Sequence, residues 1–494
     1  VFNLIFLLLI IIVGINLLLN VDLTKSINLN GETNDFCQKL NKSTITDNSL
    51  EYLVCNNKFK KNKIILLFID SLPFDNLHEL IDFNKTNITN FFRGKGLEYK
   101  QSGALFETIL TGKFSRNYIA NTTEFDSLPK QFKNADMNVY YKIRKFPLGT
   151  LINQDFSNKF EIHSGERIPL YKFCENNFYF YRDYKNSLLA EFVDSYTLTY
   201  KKGLNENMLY EKAHKEIDYK LEYIHEYFNG CFMQNNFDST VFFTDCLDHL
   251  IHVSHKYNPV VTFNIFFAEQ VIKEIIKWIN KEHGEYALAV ASDHGGQIYY
   301  GEDAICNHGC NHPGNEAFLF IYTKELGENY IKYKMNNNND NIPLISLNDF
   351  PCVIAQSLIN VNLPLESTCT PRYIGNDSII KYSSIKSKEI QLKKYIEKLC
   401  NKYPELNKTY NDKYYNKLYK HKYNDYFKDI KSINNAEDKI FDDYIEYLMN
   451  IQNDLLNDVI ISSHNTKYYL VFYISFIFFI LGFCFHFRNL VLLL

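Results

Sequence analysis

Five short apolar runs limit this chain more than anything else in it. The clearest is Lys61 to Asp70, Lys-Asn-Lys-Ile-Ile-Leu-Leu-Phe-Ile-Asp, and similar stretches are Asn138 to Ile143, Ser239 to Asp245, Tyr286 to Ser292 and Ala317 to Thr323. A run that is apolar throughout, rather than at alternate positions, suits a strand buried on both faces. Helical patterns lie between the runs, notably Phe263 to Asn280. Strands alternating with helices predict an α/β fold, a mostly parallel sheet with helices on both faces. Ligands of such sheets bind at the carboxyl ends of the strands, which is where Asp70, Asp248 and Asp293 fall.

Those strand ends also gather imidazoles. Six of the fourteen histidines lie in two short windows, 248 to 255 and 293 to 312, and each window carries Asp as well. Hard carboxylate oxygen mixed with borderline imidazole nitrogen is a donor set that Zn²⁺ prefers. Asp248-His249-Leu250-Ile251-His252 sets an acid and an imidazole four residues apart, so one helical turn or a tight loop aims both at one ion. Two sites can be assembled: Asp248, His252 and His308 for one ion, and Asp70, Asp293 and His294 for the other. Two ions a few ångströms apart suit phosphoryl transfer, one activating the attacking oxygen and the other stabilising the leaving side.

The formal net charge of -4 gives no bulk reason to expect nucleic acid or anionic lipid as a partner. Membrane attachment is expected on other grounds. Val1 to Leu19 and Tyr468 to Phe485 are apolar runs, each near the ~20 residues that cross a bilayer. No basic stretch precedes the first run and no small-residue cleavage pattern follows it, which favours a signal-anchor over a cleaved signal peptide. Arg488 beyond the second run belongs on the cytosolic side by the positive-inside rule, leaving the bulk of the chain lumenal. Ten of the eleven cysteines lie between the two runs, an even number that fits an oxidising compartment. Sequons at Asn41, Asn84, Asn87, Asn121, Asn376 and Asn407 point the same way, although so Asn-rich a chain produces several by chance. The chain opens without Met and stops inside an apolar stretch, Asn489 to Leu494, as a piece of a longer protein with further spans would.

The organisation expected is a signal-anchor over 1–20, a lumenal linker over 21–62, a catalytic domain over 63–372, a helical stalk over 373–466 and a transmembrane segment over 467–494. The stalk follows from the Tyr, Lys and Asn-rich stretch 405–430 and from the periodic Ile440, Tyr444, Leu448, Ile451, Leu455 and Val459. Its tyrosines are expected to serve packing and solvated surface.

The motifs, taken in order, resemble those of the alkaline phosphatase superfamily, and within it the ethanolamine phosphate transferases of glycosylphosphatidylinositol (GPI) anchor synthesis. That family's opening strand, V-I-D-A-L-R-F-D, is similar to Phe68-Ile69-Asp70-Ser71-Leu72-Pro73-Phe74-Asp75. Its D-H-x-G-H resembles Asp248 to His252, and its S/G-D-H-G-M resembles Ser292-Asp293-His294-Gly295-Gly296. The S-H-G-A-G-H-P-S-E of one branch is mirrored by Asn307 to Glu316, and the family's closing helix by Asp349 to Pro364. The resemblance spans about residues 63 to 372. It implies an alkaline-phosphatase-like sheet, two divalent ions, most simply Zn²⁺, and a hydroxyl nucleophile ten residues before the Gly of a Thr-Gly turn. Counting back from Leu110-Thr111-Gly112 gives Ser102, with Thr108 and Thr111 as alternatives whose expected use is helix and turn structure.

The same resemblance implies transfer of phosphoethanolamine from phosphatidylethanolamine to a mannose of the GPI precursor, on the lumenal side of the endoplasmic reticulum membrane, with a small membrane-protein subunit as a further partner. The competing readings are a metal-dependent phosphodiesterase or nucleotide pyrophosphatase, and an inactive ectodomain that binds glycan. Two departures from the family bear on substrate. Leu105 stands where relatives carry a basic or amide side chain, and Lys142-Ile143-Arg144-Lys145 stands where two branches end a strand in an acidic pair. Cys369-Thr370-Pro371-Arg372 is similar to the sulfatase C-x-P-S-R signature but lacks its Ser and follows the metal motifs, so it is read as a decoy.

Overall fold

The computed structural model describes residues 60–72, 90–95, 102–113, 126–144 apart from 136 and 138, 160–163, 238–244, 268–295 apart from 269–271, 274 and 282, 316–325, 344–372 apart from 359–360, 377–402 and 407–459. Eight strands form one sheet: β1 (Lys63–Ile69), β2 (Asn90–Lys95), β3 (Val139–Arg144), β4 (Phe160–His163), β5 (Ser239–Thr244), β6 (Tyr286–Ala291), β7 (Ala317–Tyr322) and β8 (Leu344–Ser346). Their order is β4-β3-β5-β1-β6-β7-β2-β8. All five apolar runs read from the sequence are strands, and all pair in parallel except β7, which is antiparallel to both β6 and β2.

β1 lies inside the sheet, in register with β5 on one side and β6 on the other. Its side chains are buried on both faces, as its unbroken apolar sequence requires. Ile64, Leu66 and Phe68 share an apolar cluster with Ala287, Ala289 and Ala291 of β6 and Leu319 and Ile321 of β7. Helices α1 (Ser102–Thr111) and α3 (Phe350–Gln356), with α2 (Leu128–Asn134) between them in sequence, complete that cluster through Leu105, Phe106, Ile109, Leu128, Phe350 and Val353. The Phe68 and Phe106 rings meet edge to face at 5.5 Å, which fixes α1 over the end of β1. The opposite face meets the helical residues 275–281, with Trp278 5.2 Å from the Tyr286 ring and the Tyr322 hydroxyl donating to Asn280.

α1 stops where Gly112 turns into the left-handed region, at φ 68°. Its N–H donates to the Thr108 carbonyl at 2.8 Å, and its carbonyl accepts from the Thr368 N–H at 2.8 Å and hydroxyl at 3.0 Å. The loop around Ser367 is thereby stapled to the end of α1. Its other side is held by Asp349, which accepts from the Thr370 N–H at 2.7 Å and from Arg372 at 3.1 Å, and by the Cys352–Cys369 disulfide, with Cα atoms 6.1 Å apart. The Cys-Thr-Pro-Arg segment therefore has a structural use.

Helix α4 (Ser378–Lys402) closes over the same loop. Lys388 donates to the Ser367 carbonyl at 2.9 Å and Gln391 to the same oxygen at 3.2 Å, while Ile380 joins the apolar cluster of α1 and α3. Further along α4 the fully buried Glu389 accepts from Lys386 at 2.7 Å, from Lys393 and from the Tyr444 hydroxyl, with His421 Nε2 at 3.6 Å. Burial alone would raise this carboxyl, but the contacts from His421, Lys386 and Lys393 outweigh it and hold the group well below the usual carboxylate range. Tyr410, Tyr414, Tyr423 and Tyr444 are buried, whereas Tyr419 and Tyr426 are exposed, so tyrosines of this stretch serve both packing and surface.

The described residues up to Ile445 belong to one compact unit, and those from Glu446 to a second, of which the helical residues 446–459 are described. Among the described residues no helix is long and apolar enough to cross a membrane. The apolar runs 1–19 and 468–485, expected as a signal-anchor and a transmembrane segment, lie outside the described residues.

A Cβ placed on Gly112 would lie 1.9 Å from Ser367 Oγ and 2.8 Å from its Cβ, in a conformation that L side chains resist. Gly112→Ala should therefore destabilise the folded chain by about 2 kcal/mol or more, read as a lowered midpoint in denaturant. Lys388 supplies a second test. Burial lowers its ammonium to about 7, with Asp349 pulling the other way. The unfolded chain keeps that proton up to its ordinary value of 10.5, so the site's contribution to stability should rise as pH increases from about 7 towards 10.5 and stay flat below. Denaturant titrations at neutral and alkaline pH check this: the parent gains stability with pH, and Lys388→Met loses that gain.

Candidate metal centre and nucleophile

Parallel pairing of β1 with β6 sets Phe68 opposite Ala291, so both strands end level and each continues into an acid. Asp70 follows β1 directly, and Asp293 and His294 follow β6 after Ser292. All three are at least nine-tenths buried, and one donor atom from each lies within 4.8 Å of the others. His294 Nε2 is 3.5 Å from Asp70 Oδ1 and 3.4 Å from Asp293 Oδ2.

The imidazole is oriented by its other nitrogen. Nδ1 lies 2.9 Å from the Gly295 carbonyl, and a carbonyl can only accept, so Nδ1 carries the hydrogen. In the neutral ring the Nε2 lone pair is then turned towards the two carboxylates, which is the arrangement of a metal-ligating histidine. Ser292 Oγ donates to the His294 carbonyl and steadies the turn.

Ser102 completes the group from above. It is the first residue of α1, and its Oγ is 3.2 Å from both Asp70 Oδ1 and His294 Nε2. The ten-residue helix also directs its positive end to this point, where a phosphate oxygen would be stabilised. The other two candidate hydroxyls are used internally: Thr108 donates to the Ala104 carbonyl at 3.0 Å and Thr111 to the Glu107 carbonyl at 2.7 Å. Leu105, where a phosphate contact was sought, is buried in the apolar cluster instead.

These residues suit a divalent ion. Two carboxylates buried this close repel each other unless a cation lies between them. With bond lengths of 2.0–2.2 Å, ligands of tetrahedral zinc sit about 3.4 Å from one another. The separations of His294 Nε2 from Asp70, Asp293 and Ser102, and of Ser102 from Asp70, are 3.2 to 3.5 Å and match that spacing.

Asp248, His252 and His308, expected to hold a second ion, lie outside the described residues, as do His249, His255, His312, Cys306 and Cys310. β5 ends at Thr244 beside Ile69, four residues before Asp248. Sequence reasoning passed over Ser71, which touches all three ligands. Nothing in its residue type announces the left-handed backbone, φ 60°, that puts it there.

No family model matches the chain, and no curated protein matches it. Among solved structures it is similar to a protein of the alkaline phosphatase superfamily from Vibrio parahaemolyticus, at 12% identity and a TM-score of 0.32, covering 61% of this chain and 67% of the other. It is similar to the alkaline phosphatase of the Antarctic bacterium TAB5, at 10% identity and a TM-score of 0.32, covering 59% and 96%. The C-terminal periplasmic domain of EcEptC from Escherichia coli, in complex with zinc, is matched at 12% identity and a TM-score of 0.33, covering 65% and 92%. Overlaps this slight do not bear on activity, which must be read from the atoms of the site.

Asp293→Asn and His294→Ala, each in the purified full chain, should weaken one equivalent of bound zinc by more than about 100-fold. Thr108→Val should leave zinc binding unchanged. Competition against a chromogenic chelator measures both.

Proposed function

We propose that the chain is a metal-dependent phosphoryl-transfer enzyme whose nucleophile is Ser102. The observation that carries this is the position of Ser102 Oγ, 3.2 Å from both Asp70 Oδ1 and His294 Nε2 at the positive end of α1. Asp70, Asp293 and His294 would hold one divalent ion, which when bound lowers the pKa of a neighbouring hydroxyl and offsets phosphate charge. Asp70 Oδ1 accepts the Ser102 hydrogen and leaves the lone pairs of Oγ for attack. Attack forms the Ser102 O–P bond and breaks the bond from phosphorus to the donor's leaving oxygen, which takes up the proton that Ser102 loses. An acceptor hydroxyl then attacks phosphorus from the other side, restoring Ser102. The α1 N–H groups bind the phosphate oxygens through both steps.

The finer reading is phosphoethanolamine transfer. Phosphatidylethanolamine would be the donor, diacylglycerol the first product and a mannose hydroxyl of the GPI precursor the acceptor. Its support is the ordered set of motifs over residues 63 to 372, two apolar runs long enough to anchor the chain, and the sequons and cysteines of a lumenal protein. Asp248, His252 and His308 would hold the second ion, with zinc the simplest choice for both. The endoplasmic reticulum membrane is the proposed location, and a small membrane-protein subunit is a further proposed partner.

Complementation of cells lacking each of the three GPI ethanolamine phosphate transferases tests this reading. The parent chain should rescue one of them, and Ser102→Ala should lose transfer by at least about 10³-fold while still binding zinc. Rescue by Ser102→Ala equal to the parent sinks the nucleophile. Release of phosphoethanolamine to water alone, with no transfer to glycolipid, favours a phosphodiesterase.

A further inference from the structure

Ser71 occupies the tightest point of the site without being a ligand or a nucleophile. It is buried and sits in the left-handed region at φ 60°, a conformation a non-glycine residue holds when its surroundings require it. From there it reaches every member of the triad. Its backbone N–H donates to Asp293 Oδ1 at 3.3 Å. Its hydroxyl donates to Asp70 Oδ1 at 3.4 Å and lies 3.3 Å from His294 Nδ1.

The direction of these bonds follows from the groups. An ionised carboxylate can only accept, so the single hydroxyl hydrogen of Ser71 goes to Asp70. Towards His294 the hydroxyl must then accept, which again requires hydrogen on Nδ1. The Gly295 carbonyl, 2.9 Å from the same nitrogen, demands the same tautomer. Two acceptors on different segments of chain thus agree in leaving Nε2 unprotonated in the neutral ring. The Ser71 N–H meanwhile holds Asp293 by Oδ1, leaving Oδ2 on the side of His294 Nε2.

Resting on the metal reading above, we propose that Ser71 is a positioning residue which sets the three ligands for the ion through one hydroxyl and one amide. Glycine would adopt the backbone turn more easily but would lose the hydroxyl's contacts with Asp70 and His294. Partners of this kind, hydrogen-bonded to ligands rather than to metal, govern affinity by roughly 10–100-fold.

Ser71→Ala and Ser71→Gly in the metal-stripped full chain separate the hydroxyl from the turn. Zinc is titrated against a chromogenic competitor, kcat and KM are measured at saturating zinc, and melting is followed without metal. Both variants should lose about 10–100-fold in affinity for one equivalent of zinc, with kcat falling and KM little changed. Ser71→Gly should melt no lower than the parent, because it relieves the backbone. Zinc affinity within twofold of the parent in both variants overturns the proposal, and so does full affinity in Ser71→Gly with loss in Ser71→Ala, since the turn alone would then suffice. A parent that binds no zinc overturns the metal reading and this proposal together.

Discussion

The structure turns on two carboxylates that end neighbouring strands. Parallel registry of β1 and β6 carries Asp70 and Asp293 to the same edge, in a place where almost no surface reaches water. Buried anions so close oppose folding unless something offsets their charge. The surroundings answer in kind: the Ser71 amide and hydroxyl, the Ser102 hydroxyl and the His294 ring all turn polar hydrogens or a lone pair into one small volume. The apolar cluster beneath has the complementary task of keeping α1 over β1, so that the hydroxyl arrives at this charge and not beside it.

Much of this was legible in the chain itself. Unbroken apolar runs ending in Asp suit interior strands, and acids gathered at the strand ends follow from the sheet type. α1 ends at Gly112 because that residue has a physical duty: a positive φ where any side chain would strike Ser367. That duty ties the helix end, and so its start ten residues earlier, to a fixed place.

What could not be read depends on distant partners. Antiparallel β7 has the same apolar character as β1 and β6, which pair in parallel with each other, because burial on both faces sets composition without setting direction. The Cys352–Cys369 pairing is a matter of which loop α3 meets. The docking of α4 through Lys388 and Gln391 was hidden because those residues look like the solvated face of any amphipathic helix, and their buried role appears only once the Ser367 loop is there to receive them. Ser71 is the sharpest case, since its backbone conformation is imposed by ligands brought from more than two hundred residues away.

The central position of β1 also governs when this molecule becomes competent. Its two neighbours arise from residues 239–244 and 286–291, so each flank of β1 closes only across a long stretch of intervening chain, the β6 flank with later residues than the β5 flank. Contacts that span such loops form late, after the entropy of closing them has been met. Asp70, Ser71 and Ser102 are therefore made early and wait as half a site. The buried group of Asp70, Ser102, Asp293 and His294 is complete only when β6 arrives, so the site is assembled by the late, long-range step of folding.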